Sequence, residues 1–143
     1  AELDIANKSL GRYYSIRGRV VYGLQRGRQI GFPTANIVPI DENKLIPARG
    51  VYFVQIDIEE IPYWGIMNIG LRPTFKDLEE PLMEVHIFDF NEDIYEKDVN
   101  IRLIKRVRDE KKFANIDELK NQIKNDINFC KEYKKSLNLN FVL

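Results

Sequence analysis

Through the first two thirds of the chain, apolar and polar residues tend to take turns, the period at which the side chains of a strand point to opposite faces. Residues 15–22 alternate crudely. Residues 51–58 put Val51, Phe53, Gln55 and Asp57 on one side and Tyr52, Val54, Ile56 and Ile58 on the other, which predicts a half-buried strand. Glu59 and Glu60 then turn the chain. Residues 61–69, 82–90 and 99–107 supply further apolar strands, with turn-forming Asn, Asp, Pro or Gly between most of them. Short strands in such succession predict a closed barrel or a sandwich.

From Asn115 the period changes. Ile116, Leu119, Ile123, Ile127, Cys130 and Leu137 follow steps of three, four or seven, and Asn115 with Glu118 three residues later forms a capping-box pattern. A long amphipathic helix packed on the barrel is expected. Phe129 and Tyr133 widen its apolar stripe, and these aromatics read as core packing. At the other end, residues 1–10 read as the tail of a linking helix. Repeats, low-complexity tracts and internal linkers are not visible.

With 143 residues, 44% of them hydrophobic, the chain is long enough for one domain with a proper core and too short for two of ordinary size. Lys plus Arg number 22 and Asp plus Glu 22, so no overall field draws the chain toward nucleic acid or an anionic membrane. Any anion site is therefore local. The basic residues gathered at 102–112 read as a solvated strand edge. One cysteine, Cys130, cannot form an internal disulfide, and no run approaches the roughly 18 apolar residues of a membrane span. Cytoplasm is the expected compartment. The first residue is alanine, from which a processed chain, or one cut from something longer, is expected. One histidine and one cysteine give a zinc site no support.

Candidate chemistry concentrates at residues 27–37, GRQIGFPTANI. Gly18, Gly23, Gly27 and Gly31 recur every four or five residues, and glycine lets backbone N–H groups approach an anion closely. Pro33 favours an extended Phe32, so Thr34 and Asn36 are expected in a strand-like segment with both side chains on one face. A hydroxyl and an amide oxygen so placed suit a nucleotide phosphate and its metal. They equally suit the backbone of a nearby turn. In residues 82–88, Glu84 shares a face with Leu82, His86 and Phe88, opposite Met83, Val85 and Ile87. On a generic β-domain such a glutamate faces solvent, and a lone strand histidine is structural.

Six segments in order resemble the riboflavin kinase family, in particular the kinase module of bacterial bifunctional riboflavin kinase/FAD synthetases. They are residues 10–12 (LGR), 18–37, 47–52 (PARGVY), 68–75 (NIGLRPTF), 84–95 (EVHIFDFNEDIY) and 108–113 (RDEKKF). The resemblance implies a mainly β fold: a six-stranded antiparallel Greek-key barrel with a long C-terminal helix packed on it. Residues 1–143 then form a single kinase domain, with an N-terminal linker or short helix at 1–14, barrel at 15–108, flavin loop at 109–114 and helix at 115–138. The implied reaction moves the γ-phosphate of ATP to the 5′-hydroxyl of riboflavin, giving FMN and ADP. The implied site has Thr34 and Asn36 as Mg2+ ligands, and Gly23, Gly27, Gly31, Thr34 and Asn36 as nucleotide-binding residues. Glu84 falls on the catalytic carboxylate, and Arg108, Glu110 and Phe113 on the loop over the flavin. Because Thr34 and Asn36 carry no charge, the metal is expected to arrive as MgATP. Bacterial members place an adenylyltransferase domain in cis before the kinase; a free-standing kinase is the alternative. The chain departs from the family at Tyr22, often histidine, and at Glu96, usually glycine, where a turn needing positive φ would cost about 1 kcal/mol. Two other classes are a flavin- or nucleotide-binding module without turnover and a single-stranded nucleic-acid barrel, the latter disfavoured by zero formal charge.

Overall fold

The computed structural model describes residues 2–21, 31–73 and 78–137. In chain order the elements are α1 (Glu2–Leu10), β1 (Tyr14–Val21), β2 (Ala35–Pro39), β3 (Gly50–Ile58), β4 (Ile61–Pro73), β5 (Glu79–Ile87), β6 (Asp98–Arg108) and α2 (Ile116–Lys135). All neighbouring strands are antiparallel, and the order β1-β2-β5-β4-β3-β6 closes on itself. Only the β3–β4 and β4–β5 connections join neighbours after β1–β2. The β2–β3 and β5–β6 connections pass to non-adjacent positions, which makes the barrel a Greek key.

One set of alternating side chains fills the barrel. Tyr52, Val54 and Ile56 of β3 meet Met67 and Ile69 of β4, Met83 and Val85 of β5, and Ile101 and Leu103 of β6, all nearly inaccessible to solvent. Leu3 of α1 joins this interior cluster. Asn7, also buried, donates to Leu103 O at 3.1 Å and accepts from Tyr14 N, so α1 is fastened to β1 and β6 rather than loosely linking.

The expected half-buried β3 is buried on both faces, with Asp57 alone partly exposed. Its outward Val51 and Phe53 pack with Ile66, Ile104 and the Cys130 of α2, so the helix covers what alternation alone would leave to solvent. The N-terminus of α2 is capped as its sequence predicts: Asn115 Oδ1 accepts from Glu118 N at 2.9 Å, while the Glu118 carboxylate reaches back to Ala114 N. Ile116 departs from the stripe and is 61% exposed. Among the described residues, no helix is long and apolar enough to cross a membrane.

The basic residues at 102–112 also lie otherwise than expected. In a closed barrel β6 is no edge, being paired with β1 and β3. Its charges are matched one by one: Arg102 with Asp57, Lys105 with Asp4, Arg106 with Asp109 and Arg108 with Asp126. Positive φ appears where turns are tightest. Glu59 and Glu60, at 52° and 68°, form the two-residue β3–β4 hairpin, a geometry that Asn-Gly would satisfy with less strain. Glu96 has φ 68°, so the turn after Tyr95 does demand the conformation that glycine adopts freely.

Candidate active site

A single cross-strand row of residues runs around the outer wall of the barrel. Asn36 of β2 lies directly opposite Glu84 of β5, Glu84 opposite Asn68 of β4, Asn68 opposite Val51 of β3, and Val51 opposite Arg108 at the end of β6. Directly opposed residues share a face, so all five point outward, and Asn36, Glu84 and Asn68 are immediate cross-strand neighbours. The row crosses five of the six strands and so wraps most of the way around the barrel, about 19 Å along the curved wall. Met83, Val85 and Ile87 point the other way into the interior, which leaves Glu84 half-buried outside it.

At the β2 end of the row a cavity of about 620 Å³ opens between the start of β2 and residues 90–95. Thr34 and Asn36 both line it, with Val20, Val85, Phe90 and Tyr95 among its other walls. Asn36 is buried, and it belongs both to the cavity wall and to the row that holds Glu84. Thr34 precedes β2, and its Oγ1 is the one buried side-chain nitrogen or oxygen without a hydrogen-bond partner among the described residues. Satisfying a local turn therefore does not account for this hydroxyl. His86 takes a supporting place: its Nδ1 stands 2.8 Å from Pro33 O, and its ring meets Phe32 edge-on. Since a carbonyl only accepts, Nδ1 carries the proton. The contact pins the backbone just before Thr34.

At the other end, the three loop residues singled out in the sequence have separate surroundings. Glu110 accepts from Asn68 Nδ2 at 3.2 Å and from Arg49 Nε at 2.8 Å. The Arg108 guanidinium engages Asp126 of α2, donates to Asp109 O and lies 6.0 Å from the Phe113 ring. Gly31 has φ 86° and nothing within 4 Å of a would-be Cβ. Gly23, Gly27 and Tyr22 lie outside the described residues.

Sequence reasoning passed over Asn68, Arg49 and Asp126. Asn68 lies within the NIGLRPTF segment and Arg49 within PARGVY, but what joins the two is Glu110, which is remote in sequence. Asp126 carries a readable signal, a carboxylate between Ile123 and Cys130 on the apolar stripe of α2.

Fold and site together define a Greek-key β-barrel with Asn36, Glu84 and Asn68 in one outward row, and a ligand-sized cavity that Thr34 and Asn36 line and Glu84 and residues 108–113 do not. The chain belongs to the riboflavin kinase family, whose model matches residues 10–134. It is 44% identical over 127 residues to the bifunctional riboflavin kinase/FMN adenylyltransferase of Bacillus subtilis, covering 87% of this chain and 40% of that protein. To the protein of the same description in Escherichia coli K12 it is 42% identical over 132 residues, covering 92% and 41%. It thus spans about two fifths of the length of these curated relatives. A solved structure from Streptococcus pneumoniae, described as a macrolide-efflux protein, matches with a TM-score of 0.85 at 42% identity, over 90% of this chain and 42% of that one. The riboflavin kinase of Trypanosoma brucei matches with a TM-score of 0.61 at 25% identity, over 85% and 79%.

Proposed function

We propose that this module transfers the γ-phosphate of ATP to the 5′-hydroxyl of riboflavin, yielding FMN and ADP. The observation that carries the reading is the direct opposition of Asn36 and Glu84, with Asn36 also lining the cavity that holds Thr34. A carboxylate and a pair of neutral oxygen ligands so close together suit an acceptor hydroxyl next to a nucleotide phosphate.

The partnerless hydroxyl of Thr34 and the amide of Asn36 fit a hard cation that brings its anionic ligands with it, as magnesium does on ATP. Mg2+ held there would offset charge on the phosphates. Gly31, and with it Gly23 and Gly27, would supply backbone N–H groups to those phosphates. Glu84 accepts a hydrogen bond from the riboflavin hydroxyl and holds its oxygen in line with the phosphoryl group. A carboxylate is too weak a base to ionise an alcohol beforehand, so Glu84 would take the proton as the new O–P bond forms and the γ-phosphorus separates from the departing ADP oxygen. Asn68, the cross-strand neighbour of Glu84 on its other side, ties this wall to Glu110 and so to the loop that would cover the flavin.

The names of the bacterial relatives join riboflavin kinase to FMN adenylyltransferase. An adenylyltransferase domain in cis, which would consume the FMN made here, is the partner this reading implies. Incubating the chain with riboflavin and MgATP and resolving the flavins by chromatography tests the proposal. FMN formed in step with ADP is the expected result; no FMN from folded protein would refute it.

A further inference from the structure

The helix α2 has only two buried residues, Cys130 and Asp126, and Asp126 is 3% exposed. A buried carboxylate is a poor choice for simply docking a helix, since an apolar pair of similar size holds two elements together as well or better. What a charged pair adds is a fixed geometry. Here Arg108 Nε lies 3.0 Å from both carboxylate oxygens and Nη2 lies 2.8 Å from Oδ2, while Gln122 Nε2 donates to Oδ1 at 2.9 Å. The guanidinium plane is thereby set.

The same guanidinium gathers both ends of the loop that follows it. Nη1 donates to Asp109 O at 2.9 Å, and the group lies 6.0 Å from the centre of the Phe113 ring. Between these points Glu110 reaches Asn68, which stands opposite Glu84. Lys111 adds a second tie to α2 through Gln122, the residue that also holds Asp126.

We infer that Asp126 is a positioning residue for the proposed riboflavin subsite, orienting Arg108 and through it residues 109–113. The inference rests on the kinase reading for its substrate, though the loop geometry stands without it. Arg108→Lys would keep the charge but lose the planar fork that spans Asp126, Asp109 and Phe113.

The test uses Asp126→Asn, which keeps shape and removes charge, beside Arg108→Lys, which keeps a cation opposite Asp126 should the first variant fail to fold. Riboflavin KM is expected to rise about tenfold in each, while MgATP KM and kcat move less than about threefold. The double variant is expected to be no worse than Arg108→Lys alone, because both changes act on one contact. Amide hydrogen exchange at 109–113 is expected to quicken about tenfold in Asp126→Asn, with β3 and β4 unchanged. A purely structural anchor would lower the melting temperature and leave riboflavin KM alone; that outcome in a folded variant overturns the inference. If the unmodified protein makes no FMN, the kinase reading fails separately, and unchanged exchange at 109–113 in either folded variant still overturns the positioning role.

Discussion

The carboxylate of Glu110 fills the space that a side chain on Gly70 would occupy, its Oε2 lying 2.7 Å from where a Cβ would stand. That absence of a side chain lets Glu110 reach Asn68 and Arg49 across the wall that carries Glu84. Gly70→Ala would push aside the end of a flexible side chain and no backbone, so stability is expected to change by no more than about 1 kcal/mol. Riboflavin KM should rise several-fold as Glu110 leaves Asn68. Steady-state kinetics beside a melting curve check this, and an unchanged KM would detach Glu110 from the flavin side.

Replacing Glu84 with glutamine keeps a hydrogen-bonding side chain opposite Asn36 and removes the proton acceptor. Turnover should fall by about 10² or more, within the usual range for loss of a general base. Riboflavin binding, followed by flavin fluorescence, should persist. Turnover equal to that of the unmodified protein would rule out the assigned role.

Thr34→Val removes the hydroxyl that has no protein partner while keeping the branched shape. Because no internal hydrogen bond is lost, the melting temperature should hold or rise. KM for MgATP is expected to increase about tenfold, the scale of one lost interaction with a charged ligand. The combination of kept stability and weakened nucleotide binding distinguishes a ligand from a packing residue, and equal MgATP affinity would count against the assignment.

Local pattern makes much of this molecule legible in its sequence. Period-two alternation points to five of the six strands because the barrel interior takes every second side chain, β2 shows only as the extended segment after Pro33, and the Asn115 cap is readable because its partner is three residues away. Burial by distant elements was not: β3 looked half-exposed, since nothing within 51–58 announces that Cys130 and Tyr133 of α2 will cover its outer face. The basic residues at 102–112 misled for the same reason, their carboxylate partners lying as far away as Asp4 and Asp57. At the site, alternation put Glu84 on the outward face but not opposite Asn36. That depends on β5 pairing with β2, a long-range register that composition does not encode. Conversely, the departure at Glu96 was readable locally, and its φ of 68° shows the strain that a glycine there would relieve.

Cys130 offers a prediction about pH. The thiol is fully inaccessible, and burial, reinforced by the nearby negative charge of Asp126, pushes its pKa from 9.0 up to about 12. In the unfolded chain the thiol ionises near its ordinary value, so between pH 9 and about 12 the folded state holds more protons there than the unfolded state. Its contribution to stability is therefore intact below pH 9 and is lost as pH rises through that window, by at most about 1.4 kcal/mol per unit. Lysines and tyrosines titrate in the same range, so the informative quantity is a difference. Urea unfolding of the unmodified protein should lose stability between pH 8 and 10.5 more steeply than that of Cys130→Val, and the native thiol should resist a thiol-specific reagent at pH 8. Parallel slopes for the two proteins would show that Cys130 ionises as readily folded as unfolded.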